Sequence, residues 1–265
     1  MQLIDIGINL THASYDPDRD EVIARARAAG VVQMVVTGSD LESIGRAVEL
    51  VHRFPGVLSA TAGIHPHHAT DYSESTGAAL RSWLARPEIS AAGECGLDFY
   101  RNYAPRDRQL AAFRAQLEIA ADSGRPVFLH QRDAHPEFIE LVAEFRPRLT
   151  RAVAHCFTGT IEEARDCLAL DLHIGITGWI CDERRGRHLL EVVRAVPADR
   201  LMLETDGPYL LPRDLSPKPA SRRNEPMYLP HVLRAVAAAR GEAPEKLAAQ
   251  TTRVARAFFG LPGVA

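Results

Sequence analysis

Polar and ionisable side chains close six of the eight short apolar runs in this sequence. In chain order they are Asn9, His65, Glu94, His130, His155 and Asp206. Chance would supply few of them, because histidine occurs only 11 times in the chain and strands disfavour acidic residues. Two histidines and two carboxylates brought to one place form a divalent-metal site, and this donor set by itself favours zinc or manganese. A metal there lowers the pKa of a water and polarises a substrate oxygen, so the predicted reaction class is metal-assisted hydrolysis.

Each of these residues also has an ordinary explanation when it is taken alone. His65 could be a loop histidine, and Glu94 could simply pair with an arginine. His130 and His155 could be core histidines with satisfied hydrogen bonds, and Asp206 could belong to an Asp-Gly turn. Together these explanations require several buried polar groups to converge by accident, so we favour one shared site.

The elements that would position these residues alternate between strands and helices. Apolar runs begin near residues 3, 31, 57, 89, 126, 151, 172 and 200, and helical patterns over 16–30 and 105–124 are the clearest between them. Eight strand–helix units in this length predict an α/β fold, a (β/α)8 TIM barrel with the metal site at the C-terminal ends of the strands. An open doubly wound sheet is the alternative, although its GxGxxG signature is absent after the first strand.

The first strand, within LIDIGINLTH, carries a small polar face. Side chains alternate along a strand, which predicts Ile4, Ile6, Ile8 and Leu10 on one side and Asp5, Gly7 and Asn9 on the other. We expect the polar set to face the metal site.

Composition limits the class of protein. The chain has 265 residues, 46% of them hydrophobic, and a net charge of −3. We expect one domain over 1–265, no signal peptide, and no run that approaches the roughly 20 apolar residues of a membrane span. The four cysteines show no CxxC spacing, which is typical of reduced thiols in a cytoplasmic protein. A monomer is the default expectation, and bulk charge predicts no polyanion partner.

Five longer segments identify a family. AAGECGLDFYRN, PVFLHQRDAH, AHCFTGT, GITGWICDERRG and LETDGPYLLPRDLSPKPASRRNEP resemble the TatD family of metal-dependent deoxyribonucleases. The resemblance runs nearly end to end and is closest to the member that gives the family its name. It implies a barrel, a divalent metal (Mg²⁺ as the usual ion, with Mn²⁺ or Zn²⁺ as alternatives), a possible DNA repair role and 3′-to-5′ exonuclease action on single-stranded DNA and RNA.

The resemblance also assigns roles by motif position. Glu94, His130 and His155 would be metal ligands, Asp206 would be a further ligand or the base acting on water, and His65 would face the scissile phosphate. Independently of the resemblance, Glu204 lies two residues before Asp206 on the same strand face, so we expect its carboxylate to support a metal ligand.

The first strand departs from the family pattern. Most relatives carry Asp-x-His-x-His there, and the matching positions in this chain are Asp5, Gly7 and Asn9. Glycine offers no ligand and an amide oxygen is a weak one. We therefore expect one metal to bind firmly and any second metal to bind weakly, mainly when substrate phosphate is present.

Arginines follow several of the predicted strands, although the net charge is negative. Arg132 lies two residues after His130 and is the candidate substrate-binding residue, since arginine binds phosphate bidentately. Further arginines lie in 101–108, 184–187 and 213–223, and Tyr100, Tyr103 and Trp179 could stack on unpaired bases. The alternative is that neighbouring acidic residues neutralise these arginines in surface ion pairs. The charge pattern favours short single-stranded ends as the partner.

Two other functions compete with the nuclease. One is an amidohydrolase-like barrel that cleaves an amide or ester, but that class usually needs first-strand histidines and often a lysine on a middle strand. The other is a non-catalytic scaffold tied to protein export, which would not need Glu94, His130, His155 and Asp206.

Overall fold

Eight parallel strands follow one another around a barrel in the order β1 to β8, each hydrogen-bonded to the next. The structure is a computed structural model and describes residues 1–263. The strands are β1 Leu3–Ile8, β2 Val31–Val36, β3 Leu58–Ala62, β4 Ile89–Asp98, β5 Val127–Arg132, β6 Ala152–Ala154, β7 His173–Ile176 and β8 Leu201–Leu203. The predicted (β/α)8 barrel is confirmed, and each strand begins within one residue of its predicted start.

Helices cover the outside of the barrel and close its end at the N-termini of the strands. They are α1 Arg19–Ala28, α2 Leu41–Arg53, α3 Glu74–Leu84, α4 Arg106–Ser123, α5 His135–Phe145, α6 Ile161–Ala169, α7 Leu189–Ala195, α8 Leu229–Arg240 and α9 Pro244–Phe259. The predicted helix over 105–124 is confirmed as α4, which ends at Gly124 in the left-handed conformation that glycine tolerates. The helix predicted over 16–30 begins only at Arg19, because a short 3-10 helix, Ala13–Tyr15, precedes it.

The first and last strands meet through the residues that follow them. Asp206 N donates a hydrogen bond to Gly7 O (2.8 Å), and Asn9 N donates one to Gly207 O (2.9 Å). These two bonds bring Asn9 and Asp206 to the same rim. The predicted single domain over 1–265 includes residues 264 and 265, which lie outside the described residues.

Two apolar clusters divide the core. The larger packs the outer faces of the strands against the helices. The smaller joins inward-facing strand residues such as Ile4, Ile6 and Phe128 to Phe258 and Phe259 of α9, which closes the N-terminal end of the barrel. Polar chemistry is therefore confined to the opposite, C-terminal end.

The predicted faces of β1 need correction. Ile4 and Ile6 belong to the inner cluster, whereas Ile8 and Leu10 belong to the outer one. The pairing with β2 shifts register between Asp5 and Ile8, and such a bulge reverses the side to which later residues point. Strict alternation therefore fails in the middle of this strand.

Within the described residues, no helix has the length and apolar character that crossing a membrane requires.

Candidate metal centre

Glu94 is the point at which the predicted site residues meet. Its Oε1 lies 2.7 Å from His155 Nε2, 2.8 Å from His130 Nδ1 and 3.4 Å from His65 Nε2. These residues come from β4, from the end of β5, and from the segments after β6 and β3. His65, Glu94 and His130 each offer one potential ligand atom that lies within 4.8 Å of those of the other two.

The backbone of β4 explains how Glu94 reaches this position. Gly93 has φ +126° and Gly96 has φ +148°, both in the region that side chains rarely adopt. A Cβ on either residue would collide with the carbonyl oxygen of Phe128 or of His130 on β5. The sequence GECG therefore lets β4 pass close to β5, with the Glu94 carboxylate beside His130.

A second carboxylate lies behind His155. Glu204 is completely buried, and its Oε2 lies 3.2 Å from His155 Nδ1. Its other oxygen accepts a hydrogen bond from Cys156 N. Donation of Nδ1–H to Glu204 would leave Nε2 of His155, which lies 2.7 Å from Glu94 Oε1, to bind a cation, and this is the arrangement of metal-binding histidines held by a carboxylate.

His67 and Asp98 were missed as members of the site. His67 Nε2 lies 2.7 Å from Asp98 Oδ2, and His130 Nε2 lies 3.7 Å from the same oxygen. Asp98 ends β4, four residues after Glu94. The period of two along a strand places residues 94, 96 and 98 on one face, and that signal was available in the sequence.

Asp206 lies on the same rim but apart from the histidine group. It has φ +53°, and its Oδ1 accepts a hydrogen bond from Asn9 Nδ2 (3.1 Å). Asp206 and Asn9 both line the cavity at the mouth. Asp5 does not line this cavity: it is completely buried, and its carboxylate accepts hydrogen bonds from Thr205. Of the polar face expected on β1, Asn9 reaches the mouth.

The carboxylates of the site interact strongly with each other and with the histidines. Burial raises the pKa of Asp206 to about 7, and the charges of Glu94 and Glu204 add to this effect while His155 opposes it. Burial would also raise the pKa of Glu94, but the surrounding histidines outweigh it and hold that pKa well below its usual value. Three acidic groups thus share one small volume and need positive charge beside them.

The pKa values of two site histidines are shifted in opposite directions. Burial lowers the pKa of His65 to about 4, so this ring is neutral at pH 7. His65 Nδ1 accepts a hydrogen bond from His67 N, which leaves the ring proton on Nε2, facing Glu94. Burial also lowers the pKa of His155, but Glu94 and Glu204 outweigh it and raise that pKa well above its usual value.

These residues fit a divalent cation. Among the described residues, His130 Nε2 is buried without a hydrogen-bond partner. A buried unpaired nitrogen beside several carboxylates is an unfavourable arrangement that a cation would relieve. The assignment of Glu94, His130, His155 and Asp206 as ligands remains a prediction, which the geometry supports. His65 is close enough to Glu94 to be a further candidate.

The mouth opens into a cavity of about 490 Å³. Arg101, Arg132 and Arg185 line it together with the site residues. The Arg132 guanidinium lies 3.9 Å from the ring centroid of Tyr100, which is 57% exposed. Within residues 1–263, neither Arg101 nor Arg132 forms an ion pair, so both can bind an external anion.

The arginines after β7 and β8 are mostly engaged with acidic residues. Arg185 Nη2 lies 3.1 Å from Asp182, and Arg213 Nη2 lies 3.1 Å from Glu183. Arg223 pairs with Asp18 (2.7 Å). The alternative of neutralising surface pairs therefore holds for much of these two loops, whereas Arg101 and Arg132, beside β4 and β5, form no ion pair in the described part of the chain.

The family model and the curated relatives identify one family. Residues 4–260 match the family described as TatD related DNase. A protein of Erwinia billingiae (strain Eb661) named 3′-5′ ssDNA/RNA exonuclease TatD is 52% identical over 260 residues, which cover 98% of this chain and 100% of that protein. A protein of Klebsiella pneumoniae (strain 342) with the same name is 51% identical over 259 residues, which cover 98% of both chains.

Solved structures show the same barrel. The TatD homologue YJJV of Escherichia coli k12 superposes with a TM-score of 0.89 at 25% identity, over 98% of both chains. A TatD family hydrolase of Entamoeba histolytica superposes with a TM-score of 0.87 at 24% identity, over 99% of both chains. The second likeness concerns the fold alone.

Proposed function

The chain belongs to the TatD-related DNase family, and from that premise we propose that it removes nucleotides from the 3′ ends of single-stranded DNA and RNA. As a member of this family it is a metal-dependent nuclease that hydrolyses phosphodiester bonds. The observation that carries the proposal is the contact of Glu94 Oε1 with His130, His155 and His65 at the mouth of an open cavity. The relatives named exonucleases match over nearly their whole length, which supports the polarity and the substrate class.

Glu94, His130 and His155 would hold the metal, with Asp206 as a further ligand or as the base. A divalent ion supplies an activated water at neutral pH and withdraws charge from a phosphate oxygen. We take Mg²⁺ as the ion from the family resemblance. The two histidines suit Mn²⁺ or Zn²⁺ as well by donor chemistry, so the assay below compares all three.

The side chains of the site have separate tasks in hydrolysis. Asp206, fixed by Asn9, orients the attacking water and takes its proton. Neutral His65 would stabilise negative charge that develops on the phosphate. Glu204 keeps the His155 ring in the orientation that points Nε2 at Glu94. Water attack breaks the bond between phosphorus and the 3′ oxygen, and that oxygen takes a proton from solvent.

The cavity supports a single strand as substrate. Arg101 and Arg132 offer phosphate contacts without competing carboxylates, and the exposed rings of Tyr100 and Tyr103 flank the entrance as stacking surfaces. His67 lies 4.7 Å from Tyr103, ring centroid to centroid, which ties this surface to the site. Net charge and surface arginines favour a short unpaired end over a long duplex.

We further propose that the enzyme acts as a monomer in the cytoplasm and that trimming of 3′ ends serves DNA repair. The amidohydrolase alternative lacks its usual first-strand histidines, since Gly7 and Asn9 stand at those positions. It also lacks a lysine at the end of any strand.

A labelled oligonucleotide assay tests the proposal. A single-stranded oligonucleotide with a 5′ label should give a ladder of products shortened from the 3′ end with Mg²⁺, Mn²⁺ or Zn²⁺, and none with a chelator. Glu94→Gln should abolish the ladder, whereas Glu191→Gln, on the exposed face of α7, should leave it unchanged. Products released from the 5′ end, or a ladder that persists in chelator, would exclude this reaction.

A further inference from the structure

Three potential metal ligands of different chemistry meet away from the Glu94 site. Cys181 ends the short 3-10 helix Gly178–Cys181 after β7, Asp214 lies in the loop after β8, and His231 lies in the first turn of α8. One ligand atom from each lies within 4.8 Å of the other two. His231 Nε2 lies 2.7 Å from Asp214 Oδ1. Three separate segments of the chain thus converge at one point.

The cluster has protein on one side and solvent on the other. Cys181 is 5% exposed, whereas the side chains of His231 and Asp214 are 23% and 52% exposed. Burial raises the pKa of the Cys181 thiol, and the charge of Asp214 raises it further, so without a cation the thiol keeps its proton. A cation would take the place of that proton and balance the Asp214 carboxylate.

We propose that Cys181, Asp214 and His231 form a zinc site separate from the centre around Glu94. A sulfur, an imidazole nitrogen and a carboxylate oxygen are the ligands that zinc takes, and a thiolate selects against Mg²⁺. Water from the exposed side completes four-coordination. Binding releases the thiol proton to solvent and forms the bond from the Cys181 thiolate to zinc.

The position of the site gives it a structural role in substrate binding. Trp179, two residues before Cys181, lines the mouth, and the Arg185 guanidinium lies 4.5 Å from the centroid of its ring. The two loops that carry Cys181 and Asp214 also enclose an adjoining basic cavity of about 360 Å³. Zinc would fasten both loops to α8 and so fix one wall of the path that leads to the mouth.

Cobalt substitution tests the proposal by a signal that only a thiolate ligand gives. Cobalt titrated into the metal-free full chain should produce a near-ultraviolet sulfur-to-cobalt band that saturates at one equivalent and disappears when zinc is added. The band should persist in the triple variant Glu94→Gln/His130→Ala/His155→Ala, because the site does not depend on the catalytic centre. Zinc should also raise the midpoint of thermal unfolding of this triple variant by about 5 °C, a shift to which the Glu94 centre cannot contribute.

Matched variants locate the thiolate. Added to the triple variant, whose Glu94 centre no longer holds a metal, Cys181→Ala should lose the band and the zinc-dependent shift, whereas Cys167→Ala, in α6, and Cys156→Ala, in the cavity, should keep both. Removing a supporting residue behind a ligand lowers affinity by roughly 10- to 100-fold. His231→Ala and Asp214→Ala remove exposed ligands without touching the core, so each should weaken zinc binding by at least the upper end of that range. No band in the wild type, or a band that survives Cys181→Ala, would overturn the proposal and leave only a hydrogen-bonded cluster.

Discussion

The carboxylate of Glu204 occupies the space beside the α-carbon of Gly7. A Cβ built on Gly7 would collide with Glu204 Oε2, and one built on Gly175 would meet Oε1 at 2.5 Å. Glu204 therefore lies between two glycines on opposite sides, and its own oxygens bind His155 and Cys156 N. The absence of a side chain at position 7 is thus a packing requirement of this carboxylate as well as a departure from the family pattern.

Gly7→Ala should destabilise the protein and weaken the site together. Adding a methyl group to a filled core costs about 1–3 kcal/mol, and here the displaced group is the support of His155. Urea unfolding and kcat measure the two effects. Gly45→Ala is the matched control, because a Cβ on Gly45, in α2, meets nothing within 4 Å, and alanine is the better helix former. Equal effects of the two substitutions would contradict this account of Glu204.

Glu204→Gln should lower metal affinity while the fold persists. The amide has the size of the carboxylate but cannot stabilise the charge distribution of a metal-bound histidine. Loss of such a supporting group costs roughly 10- to 100-fold in metal affinity or activity. Calorimetric titration of Mn²⁺ into wild type and variant measures the change, and an unchanged affinity would mean that Glu204 serves packing alone.

The strands were predictable because a barrel strand buried on both faces must be apolar, and the helices between them show their own periodicity. Once the barrel topology is known, the residues that end the strands must lie at one end of the barrel. This is why the sequence alone predicts one rim for the site residues. They are His65, Glu94, His130, His155 and Asp206. The same reasoning could have placed Asp98 at this rim, because Asp98 lies on the same face of β4 as Glu94.

What the sequence could not supply depends on local backbone geometry. The bulge between Asp5 and Ile8 reverses the faces of β1. Gly7 within that stretch is compatible with a bulge but does not fix where the register shifts. Asp5 is consequently bonded to Thr205 beneath the site instead of facing the mouth. The pairing of Arg213 with Glu183 likewise depends on how two loops fold against each other, which composition does not determine.

Metal titration without nucleic acid should reveal one firm catalytic site. The set around Glu94 has several nitrogen and oxygen donors within reach, whereas the side-chain hydrogen bond to Asp206 in the described residues comes from the weakly ligating amide of Asn9. Mn²⁺ titrated into Cys181→Ala, which removes the proposed zinc ligand, should show one tight site per chain and a second, weak one. Two tight sites would contradict the prediction that Gly7 and Asn9 weaken the second.

Arg132→Ala should raise KM for a single-stranded oligonucleotide and reduce its dependence on salt. Arg132 lines the mouth and has no ion-pair partner in the described residues, so it can contact one phosphate. Each phosphate contact contributes a slope of about 0.7 in the dependence of log affinity on log salt for single strands. Arg165→Ala on α6 is the control, because Arg165 is exposed and its only ion-pair contact in residues 1–263 is to Glu162 at 3.8 Å. An unchanged slope would remove Arg132 from the substrate path.

His173 should make the fold sensitive to mild acid. It begins β7 at the closed end of the barrel, 9% exposed, with its ring centroid 5.0 Å from that of Phe258. Among the described residues, its Nδ1 is buried without a hydrogen-bond partner. Burial, and secondarily the charge of Arg200, lower its pKa from 6.5 to about 4. This ring is therefore neutral in the folded protein at pH 7.

The sign of the effect follows from proton uptake. Between pH 6.5 and 4 the unfolded chain binds a proton at position 173 that the folded protein does not, so falling pH favours unfolding. The stabilisation is complete above pH 6.5 and is lost as the pH approaches 4, and at pH 5 the loss is about 2 kcal/mol. His173→Leu should remove that part of the pH dependence of urea unfolding between pH 7.5 and 5. A leucine at exposed His12 should keep the wild-type dependence, and equal curves for His173→Leu and wild type would show that the ring is protonated in the fold.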